Sequence, residues 1–505
     1  MGKLFKVIAY LIGALILLIL IGMILLVTLV NPNKFKPEVV KQIQQATGRP
    51  FAINGGLHWT FFPMLGIEAS NISLGNPSNF PQGDFITAKS AAVNLETVSL
   101  LKGKINFGIL NLDNLTIHLI KTASGQTNWE SANTTASVTV NNNQLQGSAT
   151  AQNTSGTSRF GLVMMTVPAL HITNSEIIFD DQSQNKKIDL QNITLQSDAM
   201  TPDQAFPVSL SFIAKTSTLL NTVHIKLNSQ ITVDTTQQKI NLNTLSLAIN
   251  NLVISGQLQI NHFTDQPELQ GNLQILNFDA NNWLASFGKP LSSNALHNIN
   301  ATFDIQADAN SVQVNDLRAK VDDSTVTGSI GSLGHGPKLI HFDLAIDQLD
   351  TTRFTQTDNN KTKVAMNNLS PIQTAQAADA TDMNESILPV SALRNLNAQG
   401  HLWIESMVLG QPSLKPITAK QVAIILNANN GVLQIAPLSA KVFGGELQSA
   451  ITIDARSDNP QWRVNTQLTN IDINQLLQSK PIINSLHLTG SGNVTSNLNQ
   501  QSRYR

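Results

Sequence analysis

A chain of 505 residues with a net charge of −1 and no cysteine rules out several functions at the start. Nucleic-acid binding needs clustered Lys and Arg to displace phosphate counterions, and zinc ribbons, disulfide frameworks and thiol catalysis all need cysteine. Hydrophobic residues at 41 % are enough for a core, whereas charged residues make up 13 % and Asn, Gln, Ser and Thr fill the polar positions instead.

The length suggests two to four units, and a cysteine-free chain of this size fits an oxidising compartment. Taken in order, the first element is VIAYLIGALILLILIGMILLVTLV, the 24 residues from Val7 to Val30, which contain no charge. At ~1.5 Å rise per residue such a run crosses a ~30 Å hydrocarbon core with some tilt. A cleaved signal peptide would carry a shorter apolar region ending at a small-residue cleavage site. This run ends instead at Val30-Asn31-Pro32. The expectation is an uncleaved anchor over residues 1–30, with Val7, Leu11, Leu17, Leu20 and Val30 facing lipid. Lys3 and Lys6 before it balance Lys34 and Lys36 after it, so charge alone leaves the orientation open.

Next comes a short helix. Phe35, Val39 and Ile43 recur at helical spacing, Pro37 falls near the first turn and Gly48 fits a C-terminal cap. Two placements are open for it, the membrane surface and the strands that follow, and the second is preferred. The aromatic cluster Trp59, Phe61, Phe62 with Pro63 is expected to pack on the same stripe.

From Phe51 onward the period changes to two. Leu57/Trp59/Phe61, Ala91/Val93/Leu95, Leu115/Ile117/Leu119, Val312/Val314 and Leu317/Ala319/Val321 alternate with polar residues, as do Ile451 and Ile453. Asp113-Asn114, Asn174-Ser175, Asp322-Asp323 and Gly444-Gly445 are read as separators between short strands. This is the pattern of antiparallel hairpins with one apolar and one polar face. Asn-x-Ser/Thr triplets at Asn71, Asn114, Asn133 and Asn192 are no more than chance gives in a chain so rich in Asn and Thr. Two polar stretches, 131–159 and 355–391, read as flexible linkers or loops. They leave β regions at 31–130, 160–354 and 392–505.

Internal repetition follows. SVQVNDLRAKVDDSTVTGSI (Ser311–Ile330) lies over GVLQIAPLSAKVFGGELQSAI (Gly431–Ile451), each read as strand, turn, strand, tight turn, strand. Asn277-Phe278-Asp279, Gln348-Leu349-Asp350 and Asn470-Ile471-Asp472 precede Trp283, Phe354 and Leu476. Each Asp is placed to cap a helical turn whose bulky residue closes the core. Repeated half-apolar hairpins either close on one another as core or curl lengthwise into a groove. In the second case Val312, Val314, Val321, Val442 and Ile451 are the candidate lipid-facing residues. Roughly 25 strands at ~4.7 Å spacing would extend on the order of 100 Å.

Catalytic patterns are missing. The ten histidines include no H-x-x-x-H pair, and no G-x-S-x-G, P-loop or G-x-G-x-x-G occurs. No catalytic, cofactor-binding or metal-binding residue is nominated, and a solvated strand position accounts for His118 and His171.

The stretch Asn31–Phe80 resembles the N-terminal region of the AsmA family. The matching residues are Asn31-Pro32-Asn33 with Phe35, Ala46-Thr47-Gly48-Arg49, Leu57-His58-Trp59 before Phe62-Pro63, Leu65-Gly66 and Gly75-Asn76. Ala91-Val93-Leu95 before Leu100-Leu101, and Gly125-x-x-Asn128-Trp129, extend the match. The resemblance implies an anchor in the inner membrane of a diderm bacterium, a periplasmic body of repeated antiparallel β-groove with few short helices, and no catalysis. It further implies a part in outer-membrane biogenesis, with phospholipid as ligand. The alternative, which does not come from the resemblance, is a periplasmic scaffold or assembly factor that binds outer-membrane proteins through its β-edges, with outer-membrane or periplasmic assembly proteins as partners. Family members usually continue into a further β-rich region, so the region 392–505 is expected to be truncated.

Overall fold

The computed structural model describes residues 31–61, 65–95, 107–130, 168–217, 221–288, 295–334, 338–354, 390–410, 416–457, 459–478 and 490–501. The expected anchor, Val7–Val30, lies outside them. Among the described residues no helix is long and apolar enough to cross a membrane. The chain divides into two compact units, 1–235 and 236–505.

Unit 1 opens with a 3-10 turn (Pro32–Phe35) and a helix, α1 (Lys36–Thr47), whose Asn31 side chain caps the turn. Gly48 ends α1 at φ 66°, a conformation costly to residues with a Cβ, and its N–H donates to the Gln44 carbonyl. The expected helix is therefore present and docks on the strands that follow, but Phe35 and Val39 take no part in that contact. Phe35 is 60 % exposed, Val39 is 39 % exposed, and α1 has no fully buried residue. Polar ties hold it instead: Lys36 Nζ donates to the Gly55 carbonyl, Gln44 Nε2 donates to the Phe51 carbonyl, and Asn33 brackets Leu57 through both backbone groups. Trp59 and Phe61 are half-buried, while Phe62 and Pro63 lie outside the described residues.

Nine strands follow: β1 (Phe51–Ile53), β2 (Leu57–Thr60), β3 (Gly66–Gly75), β4 (Asp84–Leu95), β5 (Phe107–Lys121), β6 (Ala169–Asp181), β7 (Lys186–Ser197), β8 (Phe206–Thr216) and β9 (Val223–Asp234). β1 and β2 both pair with β3, and from β3 each strand pairs with the next, antiparallel except for the parallel pair β5–β6.

Among the described residues unit 2 has thirteen strands: β10 (Lys239–Ile249), β11 (Leu252–Asn261), β12 (Glu268–Phe278), β13 (Ile299–Ala307), β14 (Ser311–Val321), β15 (Ser324–Leu333), β16 (Leu339–Asp350), β17 (Ala398–Leu409), β18 (Ile417–Asn429), β19 (Val432–Val442), β20 (Gly445–Asp454), β21 (Gln461–Asp472) and β22 (Ser491–Gln501). They too pair in chain order, antiparallel except for β16–β17. The two parallel pairs join the strands on either side of 131–159 and of 355–391. Each polar stretch thus interrupts a unit without dividing it.

The strands are longer than the alternation suggested. Asp113-Asn114 and Asn174-Ser175 are not turns but left-handed irregularities inside β5 and β6, with Asn114 at φ 49° and Asn174 at φ 51°, and register shifts there only between β6 and β7. Asn71, Asn192, Asp316, Gln421 and Asn470 occupy the same left-handed region within strands. Asn and Asp tolerate it because their short polar side chains bond locally, so three of the four Asn-x-Ser/Thr triplets owe their Asn to backbone geometry. A bulge adds one residue and re-phases the alternation without ending the strand. That is why Val312 and Val314 share a face of β14 with Leu317, Ala319 and Val321, although their parity differs, and why Ser311–Val321 is one strand rather than strand, turn, strand. In β5 and β6 the two left-handed sites are riveted together. The Asp113 carboxylate accepts from Thr173 Oγ1, Asn174 Nδ2 and Asn114 Nδ2, while Leu115 N donates to the buried Ser175 hydroxyl. True two-residue turns occur at Asp322-Asp323 and at Phe443-Gly444.

One edge of unit 2 carries the helical turns. Asp279 Oδ1 accepts from Asn282 N at the start of α2 (Ala280–Ser286). Asp350 Oδ1 accepts from Thr352 N in the 3-10 turn Thr351–Phe354, and Asp472 Oδ1 from Asn474 N at α4 (Ile473–Gln478). A further helix, α3 (Val390–Asn395), precedes β17. The expected caps are all present. Trp283 of α2 stacks edge-on to Phe278 and Phe287, and its indole N–H donates to the Ile249 carbonyl at 3.0 Å. Leu476 of α4 packs on Val442, Leu468 and Ile471.

Asp322 supplies a pH-dependent tie on this edge. Its carboxylate accepts from Leu296 N (2.6 Å), His297 N (2.9 Å) and Asn298 N (2.9 Å), fixing the entry to β13. Burial pushes this carboxyl up, but the three N–H groups outweigh it and the net shift is downward. A depressed folded-state value means that the contribution is complete at neutral pH and is lost as pH falls below about 4, through the folded value. Asp322→Asn is expected to destabilise unit 2 by about 1–2 kcal/mol at pH 7. In acid titrations followed by circular dichroism it should also shrink the difference in stability between pH 7 and pH 3. An unchanged difference would contradict this assignment.

Candidate functional site

Alternation along each strand and register between strands together set side chains of one kind on one face. In unit 1 a line of directly paired residues runs Leu57, Ala69, Ala91, Leu112, Ile172, Leu195, Leu210, Leu227 from β2 to β9. In unit 2 a second line runs Leu242, Leu258, Gly271, Ile305, Val314, Ile330, Phe342, Gly400, Leu426, Ile435, Ile451, Val464, Leu498 from β10 to β22. Neither line contains a polar side chain. The two glycines of unit 2 sit where strands approach closely. A Cβ at Gly271 would stand 2.1 Å from the Gln257 carbonyl oxygen, and one at Gly400 would stand 2.2 Å from that of Phe342.

A closed core would bury such a line; here no member of the unit 2 line is buried. Ile330 is 38 % exposed and Leu498 is 55 % exposed. Two buried apolar clusters lie toward the edge that bears the helical turns, Ile404 (1 % exposed) with Ala419, Val422 and Ala440, and Val442 with Leu468 and Ile471. Toward the opposite ends of the strands Val312, Leu333 and Ile340 are exposed. The strands β14 to β16 are therefore open along the middle and at that end, whereas Ala398, Ala428 and Ile453 are buried at the same end of β17, β18 and β20.

The five candidate groove residues all fall on this apolar face but in different settings. Val314 and Ile451 belong to the half-exposed line, Val312 to the exposed margin, and Val321, paired with Ile299, lies half-buried near the helical edge. Val442 is packed into the Leu468/Ile471 cluster and is 8 % exposed, so it is floor rather than open surface. The opposite face is polar: Gln313 lies between Asn315 and His341, and a cavity of about 490 Å³ is lined by Asn277, His297, Asn298, Asn300, Lys320, Asp322, Asp323 and Arg353. Trp403 and Ile425 are exposed apolar exceptions on that side.

A second constellation organises unit 1. Asn128 is 0 % exposed. Its Nδ2 donates to Asn76 Oδ1 (2.9 Å) and to the His118 carbonyl (2.8 Å), and its Oδ1 accepts from Ile120 N (2.8 Å). Arg49 Nη2 donates to the Asn128 carbonyl (2.9 Å), with the guanidinium 4.4 Å above the Phe85 ring, and burial lowers the pKa of this arginine. Trp129 stacks obliquely on Phe179. Arg49, Asn76 and Asn128, scattered in sequence, thus meet around the one buried Asn128 side chain. The spacing alone did not reveal that.

Among the described residues no group of three or more His, Asp or Glu is placed to hold a metal ion.

The sequence matches the AsmA family model over residues 1–237 and 289–504. It is 23 % identical over 477 residues to Protein AsmA of Escherichia coli (strain K12), covering 92 % of this chain and 66 % of that protein. It is 28 % identical over 141 residues to AsmA family protein YhjG of the same organism, covering 26 % of this chain and 20 % of that one. The matches thus span less than two thirds of either relative's length. No solved structure matches.

Proposed function

The chain belongs to the AsmA family, and from that membership we propose that it is a non-enzymatic protein held in the inner membrane by Val7–Val30, with its β-units in the periplasm, that handles phospholipid for outer-membrane biogenesis. The observation that carries this reading is the unit 2 line from Leu242 to Leu498, thirteen paired positions without a polar side chain and without a buried member. An acyl chain offers only hydrophobic contact, and each CH₂ removed from water there contributes about 0.8 kcal/mol. The polar opposite face keeps the sheet soluble while the apolar face is occupied.

The test is photo-crosslinking in cells with a benzophenone amino acid at Val314, on the line, and at Gln313, on the opposite face. Phospholipid adducts at Val314 and none at Gln313 are expected. Equal capture at both positions, or protein adducts alone at Val314, would favour the other reading, a scaffold for outer-membrane or periplasmic assembly proteins.

A further inference from the structure

We propose that α1 lies in the headgroup region of the bilayer, with Phe35 and Val39 dipping toward the acyl chains, and so seats the β2 end of the unit 1 apolar line at the membrane surface. This rests on the reading of Val7–Val30 as an anchor.

Two observations carry it. First, the start of the apolar stripe is unused: Phe35 and Val39 are exposed while Ile43 is half-buried, and the hydrogen bonds that hold this segment to unit 1 come from Lys36, Gln44 and the preceding Asn33. An exposed Phe and Val one turn apart on a surface helix call for an occupant. Second, Phe35 stands only five residues after Val30, the last residue of the 24-residue uncharged run. That tether is too short to carry α1 far from a bilayer crossed by the run, since each residue spans at most ~3.6 Å. The occupant is thus a lipid surface. Nearby, Asn33 grips Leu57, the first residue of the unit 1 line, so a helix resting on lipid places that line's start beside the headgroups.

The chain has no cysteine, so single labels can be placed cleanly. The full-length protein is reconstituted in vesicles of phosphatidylethanolamine and phosphatidylglycerol and carries one environment-sensitive fluorophore at Val39→Cys, Lys41→Cys or Leu17→Cys. Position 41 is turned ~200° around the helix from position 39. With a nitroxide at the headgroup or the first acyl carbons, most of the Val39 signal should be quenched and blue-shifted, and little of the Lys41 signal. Equal quenching at 39 and 41, or none at 39 while a deep acyl nitroxide quenches Leu17, overturns the proposal and leaves the anchor standing. No quenching at Leu17 removes the anchor and the proposal together.

Discussion

Replacing Asn128 with alanine should destabilise unit 1 by on the order of 3–4 kcal/mol, because it strips partners from several buried groups at once. The Ile120 N–H loses its acceptor, while the His118 carbonyl and the Asn76 amide oxygen lose a donor, all where no water reaches the 0 % exposed side chain. Asn76→Ala removes only one of these bonds and should cost about 1 kcal/mol. Urea denaturation of the full-length protein measures both. A loss below that of Asn76→Ala would show that Asn128 fills space rather than ties β5 to the loop after β3.

The second large effect separates open surface from core. Ile404 and Ile330 both point to the apolar face of unit 2, but one is 1 % exposed and the other 38 % exposed. Ile404→Asp buries a carboxylate among Val422, Ala419 and Ala440 and should cost at least about 4 kcal/mol, or be expressed only as unfolded chain. Ile330→Asp leaves the charge in water and should cost about 1 kcal/mol, largely through strand propensity. Its expected effect is on occupancy: an acyl chain crossing β15 would have to desolvate the carboxylate, and lipid retained by the purified protein should fall about tenfold, the equivalent of ~1.4 kcal/mol. If Ile330→Asp destabilises as strongly as Ile404→Asp, the line is core and the lipid reading fails.

Much of this architecture was legible because period-two patterning survives in long strands. The Asp that follows Phe278, Leu349 and Ile471 announced each helical cap. What misled was the bulge. A single left-handed Asn re-phases a strand, and in one dimension a re-phased strand looks like two strands and a turn, as at Asn174-Ser175. The Asn-x-Ser/Thr triplets held the clue, since Asn71, Asn114 and Asn192 all take a left-handed φ. The parallel pairs β5–β6 and β16–β17 had no local signature, because parallel strands are joined by long connections that impose no register of their own. The candidate groove residues were placed on the right face by alternation, but alternation cannot tell Val442, under Leu476 and Ile471, from Val314, in the open. That distinction depends on which strand end carries a helix. The α1 stripe was legible as a stripe, but the polar ties that leave its start uncovered were not.

The most direct test of the central claim is photo-crosslinking repeated along the unit 2 line, with the benzophenone placed in turn at Ile305, Ile330 and Ile451, in β13, β15 and β20. An open apolar strip predicts phospholipid adducts at all three positions and none at their polar neighbours Gln306 and Thr452. Lipid captured at none of the three, with the probes buried against neighbouring strands instead, would contradict it.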